Sequence, residues 1–344
     1  MSMAASSRYG PRATIVILAI LLVIVAVVSL GVGRYDIPFL RVVEILWSPI
    51  SPPAVPVTAT EANVVFTVRM PRILLALLAG AGLAVSGATL QGVFRNPLVG
   101  PQVMGVSSGA AFGGTLAILL SFPRYGLLGS AFIFGLSALV IVYGLNGIVA
   151  RRNILALVLA GVVVSGFFGA LVSLVQYLAD TEDKLPAMVF WLLGSFATAN
   201  WEKFWLIAGP VVVGSLLLLG LRWRINLLSI GDEDARALGV NVEPLRWLIL
   251  VLVSCIVAAQ VAVSGIIGWV GLVVPHMARM LVGPDHRVMM PASLLIGALY
   301  LLVIDTIART ATSSEIPLGI LTALIGTPVF ALVLRQTQRG ARGF

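Results

Sequence analysis

Uncharged apolar runs recur along the whole chain, divided by short stretches where arginine, acidic residues, proline and asparagine collect. Each run reaches or approaches the roughly 20 residues with which an α-helix crosses the ~30 Å hydrocarbon core of a bilayer. Ten are predicted as spans, at about 13–33, 73–92, 102–121, 125–150, 154–179, 204–221, 245–264, 266–283, 291–308 and 317–334. The eighth is interrupted by Gly268, Gly271 and Pro275. A further apolar stretch, 186–200, is too short to cross and is predicted as an interfacial or re-entrant helix. The fold class is therefore all-α and polytopic, since a helix satisfies its own backbone polar groups in lipid.

The first run has a rival reading as a secretion signal, because Arg8 and Arg12 precede it. A signal's apolar core spans only about 7–15 residues and ends at a small-residue cleavage site. The uncharged run Ala13–Gly33 is 21 residues long, so it is read as a retained first span.

Composition agrees with this reading. Hydrophobic residues are 59% of the 344 positions and charged residues 10%, with mean hydropathy +1.07. Soluble domains carry about a quarter charged residues, so lipid is the solvent this chain requires. The net charge of +8 is scattered through short loops rather than gathered on one basic face, which speaks against a nucleic-acid partner. With the N-terminus inside and ten spans, 14 of the 22 basic residues fall on the cytoplasmic side, as the positive-inside rule requires. Both termini are then cytoplasmic. Residues 1–344 read as a single transmembrane domain, with a long proline-containing periplasmic loop at 34–72 and a cytoplasmic loop at 222–246. The lone cysteine, Cys255, rules out an intrachain disulfide and a multi-cysteine metal site.

Candidate chemistry is sparse. The phosphate-binding pattern G-x-x-x-x-G-K-[ST] is absent, and neither lysine, Lys184 or Lys203, follows a glycine. If ATP drives this chain, another polypeptide hydrolyses it. Gly105-Val106-Ser107-Ser108-Gly109 matches the hydrolase string G-x-S-x-G, but the two histidines, His276 and His286, fall at or near the predicted cytoplasmic surface. Gly105, Gly109 and Gly113 at spacing i+4 form a small-residue ridge suited to close helix packing. Gly161, Ser165, Gly169 and Ser173 form a second ridge, which can pack a helix or line a solute path. Asp305 is the one acid inside a predicted span, and Arg309 one turn later can pair with it. A proton-coupled secondary transporter would use Asp305 and an intramembrane serine hydrolase Ser107. In the inner loop, Asp232, Glu233 and Asp234 open a short helical stretch and Gly239 ends it, a plausible element for docking a partner.

Ordered strings then carry a resemblance. Arg69-Met70-Pro71-Arg72, Ser86-Gly87-Ala88-Thr89-Leu90-Gln91-Gly92 and Arg95-Asn96-Pro97-Leu98 are followed by Gly105-Val106-Ser107-Ser108-Gly109-Ala110, Phe190-Trp191-Leu192-Leu193-Gly194-Ser195 and Gly271-Leu272-Val273-Val274-Pro275-His276. From about residue 60 onward the chain resembles the permeases of importers for iron-siderophore complexes, haem and vitamin B12, the large-fold ABC importers. That resemblance implies ten spans per subunit and two permease copies, expected as a homodimer, enclosing a central path in membrane lipid. It also implies two ATP-binding cassette subunits, which hold ATP and Mg, and a periplasmic substrate-binding protein. No cofactor is expected in this chain. The family's coupling helix corresponds to Gly231, Asp232, Glu233, Asp234, Ala235, Arg236, Leu238 and Gly239. Its binding-protein docking arginines correspond to Arg69, Arg72 and Arg309, for which interfacial anchoring of helix ends is the alternative. Ser165, Gly169 and Ser173 are the candidate pathway residues. A ferric siderophore is the expected cargo, with haem, corrinoids and oxyanions as the other possibilities, and no catalytic residue is expected.

Overall fold

The computed structural model describes residues 10–51, 53, 55–149 and 154–341, with side chains left out at 147–149, 154 and 333–341. Of the basic residues assigned to the inner side, Arg8, Arg151, Arg152 and Arg342 lie outside the described residues, as do the side chains of Arg335 and Arg339.

Fifteen α-helices follow one another in the described residues: α1 (Pro11–Gly31), α2 (Phe39–Trp47), α3 (Ala59–Ala62), α4 (Met70–Val93), α5 (Val106–Leu119), α6 (Arg124–Val149), α7 (Ile154–Leu178), α8 (Lys184–Leu192), α9 (Trp201–Gly220), α10 (Arg222–Leu228), α11 (Asp232–Ala237), α12 (Val242–Ser264), α13 (Val270–Val282), α14 (His286–Thr310) and α15 (Leu318–Ala341). A π-helical turn, Asn63–Arg69, leads into α4, and a 3-10 turn, Pro101–Met104, precedes α5. Among the described residues seven helices are long and apolar enough to cross a membrane, and three shorter apolar helices occupy the third, eighth and tenth predicted positions. The eighth departs most from expectation: the run 266–283 becomes a helix only at Val270, after a non-helical stretch with Gly265 at φ +71° and Trp269 at φ +69°. Pro275 lies inside the helix that remains. The third run breaks at Gly105, at φ +75°. The short stretch after α7 forms the nine-residue α8 and then turns.

At the centre stands α4, buried along nearly its whole length and packed by α9, α12, α13 and α14. Its neighbours approach so closely because glycines meet at the crossings. A Cβ on Gly87 would lie 1.8 Å from the Gly271 carbonyl oxygen on α13, and one on Gly80 would lie 2.1 Å from that of Gly297 on α14. Without a hydrophobic drive between helices in lipid, this close van der Waals contact is what holds them. The Gly109–Gly113 ridge packs on α6 as expected, with the Gly113 carbonyl accepting from the Ser130 hydroxyl at 2.7 Å.

The 34–72 loop is folded. α2 turns Val42 and Ile45 into a small apolar cluster with Leu30, Val65, Ile73 and Leu302. Thr58 and Glu61 form a capping box on α3, and Glu61 also takes two hydrogen bonds from Arg41, at 2.8 and 2.9 Å. Glu61 and Glu44 hold the Arg41 guanidinium firmly in its charged form.

Candidate functional site: the α10–α11 loop and the arginine cluster

At the end of the bundle that the charge pattern assigns to the cytoplasm, α9 stops at Gly220 and the chain turns through two short helices before α12. The first, α10, buries Ile225, Leu227 and Leu228 in the main core. Its Asn226 side-chain oxygen accepts from the backbone N–H of His286 at 3.1 Å and lies 3.2 Å from the ring Nδ1, tying α10 to the start of α14. Arg222 donates to the Arg287 carbonyl at 3.3 Å, and the Arg287 guanidinium lies 5.2 Å from the Trp223 ring. Arg287 also hydrogen-bonds Asp285 just outside the span, which holds that carboxyl below its usual range.

Gly231 leads into α11, whose first turn carries Asp232, Glu233 and Asp234 at the positive end of the helix dipole. One face of α11 is pinned: Ala235 is buried, and Asp232 accepts from Arg246 of α12 at 2.8 and 2.9 Å. Glu243 also reaches Arg246, at 3.2 Å. At the C-terminal end the Gly239 N–H donates to Arg236 and the Val240 N–H to Ala235, both at 2.9 Å, with Gly239 at φ +82°. This is the glycine-terminated end expected from the sequence. The other face presents Glu233, Asp234, Arg236 and Leu238 to solvent, with Leu238 62% exposed. α11 is thus a short, charged helix with one exposed apolar side chain at its end, tied to α12 through Asp232 and Arg246. Sequence reasoning missed α10 and its Asn226–His286 link, since seven residues show too little periodicity to mark a helix face.

At the opposite end three arginines converge, all buried. The four last carbonyls of a helix lack intrahelical partners, and two of these arginines satisfy those of α1. Arg69 donates to Leu30 at 2.6 Å, to Gly31 at 2.7 Å and to Tyr35. Arg309 donates to Val32 at 2.6 Å and to the Ser29 carbonyl and hydroxyl at 2.5 and 2.8 Å. Arg72 makes a fork of charge-assisted bonds, to Asp305 at 2.8 to 3.1 Å and to Glu315 at 2.8 and 2.9 Å. The expected Asp305–Arg309 pair is therefore corrected. Asp305, fully buried, faces Arg72 across the α4–α14 contact, whereas Arg309 turns to the orphan carbonyls of α1. Planar guanidinium groups suit both tasks, since their donors form a rigid fork.

The second small-residue ridge divides. Gly161 packs on the 3-10 turn, where a Cβ would lie 2.1 Å from the Val103 oxygen. Ser165 is half-buried, while Gly169 and Ser173 are exposed and face away from the chain's own helices, with open space around Gly169. Ser107 opens onto a small hollow lined also by Gln102, Gln260, Trp269 and Gly271, and no histidine or carboxylate lines it. That geometry gives Ser107 no base, so the hydrolase string is a packing motif.

Over 323 residues the chain is 51% identical to the molybdate import system permease protein MolB of Haemophilus influenzae, covering 94% of this chain and 95% of that one. It is 38% identical to the hemin transport system permease protein HmuU of Yersinia pestis, covering 97% and 99%. A solved chain of a metal-chelate type ABC transporter in an inward-facing conformation superposes with a TM-score of 0.85 at 49% identity, covering 94% of this chain and 98% of that one. The FecCD transport family model matches residues 21–336. On sequence and on fold alike, the chain belongs to the FecCD transport family, as a polytopic permease subunit of an ABC importer whose ATPase is a separate chain.

Proposed function

We propose that the chain imports a small oxyanion of the molybdate class from periplasm to cytoplasm by alternating access, as one of two identical permease subunits in a bacterial inner membrane with both termini cytoplasmic. The observation that carries the transport reading is the α10–α11 loop: a rigidly seated, outward-charged helix directly below the bundle. The substrate reading rests on the 51% identity to the molybdate permease along nearly the whole chain. A ferric chelate, the cargo expected from sequence, is the second reading, supported by the similarity to the haem permease and to the metal-chelate type transporter.

In this mechanism ATP, held with Mg by two cassette subunits, draws those subunits together. They press on the exposed face of α11, namely Glu233, Asp234, Arg236 and Leu238. Asp232–Arg246 passes the displacement to α12 and Asn226–His286 passes it to α14. The two permease copies then rock against each other, and the exposed Gly169–Ser173 side of α7, with Ser165, lines the path between them. A periplasmic binding protein docks at the outer end around Arg69, Arg72 and Arg309. These guanidinium groups are engaged within the chain, so an incoming carboxylate meets Arg309 through an outward hollow of about 510 Å³ that it shares with Arg34, Asp36, Thr310 and Ser313. No bond in the cargo is made or broken, and no catalytic side chain takes part.

The test is uptake by proteoliposomes holding the permease with its cassette subunit and binding protein, with ATP inside. Labelled molybdate accumulating against an unlabelled ferric siderophore supports the oxyanion reading. Accumulation of the ferric complex with none of molybdate overturns it in favour of the second.

A further inference from the structure

We infer that a trough on α12, between α6 and α9, is a binding site for an anionic phospholipid of the inner leaflet, with Arg224 as its headgroup contact. The trough's floor is a single helical stripe. Pro244, Leu248 and Val251 are exposed and Cys255 half-buried, and at about 100° per residue they lie on one side of α12. α6 meets α12 through Trp247, whose ring stacks edge-on with Tyr143 at 4.6 Å, and through Ala258, which faces Gly135. α9 meets it through Ile256 and the Leu252 carbonyl, against Gly214. On the helical wheel the exposed stripe falls midway between those two sets, so α6 and α9 are its walls. Further out the same trough continues as an apolar hollow of about 290 Å³ between Phe132 of α6 and Pro210 of α9, floored by Ala259.

At its inner end the trough opens into a groove of about 600 Å³ lined by Trp223, Arg224, Gly239, Asn241, Pro244 and Leu248. Three features identify the occupant. Pro244 to Cys255 rises about 16 Å, the depth of one leaflet of a ~30 Å hydrocarbon core. Trp223 lines the groove, as aromatic side chains do at the headgroup level. Arg224 is exposed and makes no hydrogen bond or ion pair among the described residues, whereas Asp232, Glu243 and Asp285 nearby are each paired with an arginine. An acyl chain fits the apolar stripe, and a phosphate beside Arg224 supplies the missing charge. Because the groove reaches Gly239 and Val240 just past α11, the bound lipid buttresses the end of that helix from the bilayer side.

The test uses the full-length chain in nanodiscs of phosphatidylethanolamine with one-fifth phosphatidylglycerol, extracted into mild detergent and weighed by native mass spectrometry. Wild type is expected to retain phosphatidylglycerol above its bulk share. Arg224→Gln should cut that retention about fivefold, as removal of one interfacial cationic contact does, and Arg224→Lys should restore it. Leu248→Trp, which fills the trough, should reduce retention of both lipids while the protein still elutes as a single species. Inorganic phosphate at millimolar concentration should displace nothing. No enrichment in wild type, or equal retention by Arg224→Gln, overturns the inference. So does displacement by phosphate, or a photo-crosslinker at Asn241 that captures the cassette subunit instead of lipid in the assembled importer.

Discussion

Replacing Arg72 by methionine would leave the Asp305 carboxylate, fully buried between α4 and α14, without its three hydrogen bonds from the guanidinium. Taking one partner from a buried pair costs about 3–5 kcal/mol, because an uncompensated charge stays behind. The reverse change, Asp305→Leu, leaves Arg72 still paired with Glu315, so its cost should be smaller, about 1–3 kcal/mol. In the double variant no buried charge is orphaned on α14, and Glu315, whose side chain is 27% exposed, can turn to water. The double should therefore be more stable than Arg72→Met alone, with a coupling of about 2 kcal/mol or more. SDS titration in mixed micelles, followed by far-ultraviolet circular dichroism, measures all four corners of the cycle. If the two single costs add to within about 0.5 kcal/mol, the two groups do not act as a pair and this reading of the outer cluster fails.

Other consequences follow from the same contacts. Gly87→Ala should abolish the folded, monodisperse protein on size exclusion, because the new Cβ would sit 1.8 Å from the Gly271 oxygen, while Gly166→Ala, with open space around it, should be neutral. Arg309→Met should lower the thermal midpoint in detergent, since the Ser29 and Val32 carbonyls each lose a donor at about 1–3 kcal/mol per group. Leu238→Asp should leave the isolated chain's stability unchanged, because Leu238 is 62% exposed, yet weaken capture of the cassette subunit about tenfold or more in a pull-down.

Seven of the ten predicted spans were legible at full crossing length, and the other three as shorter apolar helices, because each is a contiguous run that hydropathy alone reads. The glycine strings were legible too: Gly87 and Gly271 stand in two separate motifs, and the structure brings those motifs into contact. The Arg72–Asp305 pair was hidden, since its members are 233 residues apart and Arg309 offered a nearer partner. Nor could composition show that Arg69 and Arg309 cap α1, because orphan carbonyls at a helix end become visible only when that end is located in space. The shortening of the eighth span was half legible. Gly268 and Pro275 warned of a break, but the close packing of the non-helical backbone at Gly265 and Ile266 against Trp191 and Gly194 joins residues far apart in sequence.

On the function proposed above, this chain moves its cargo only when a separate ATPase pushes on α11. Uptake per ATP hydrolysed, measured in proteoliposomes carrying the permease, its cassette subunit and the binding protein, tests it most directly. Uptake should require ATP in the same compartment as the cassette subunit and should fall at least tenfold with Asp234→Lys combined with Leu238→Asp, while the permease alone carries nothing. Substrate accumulation by the permease alone, driven by a proton gradient and lost on neutralising Asp305, would contradict the account.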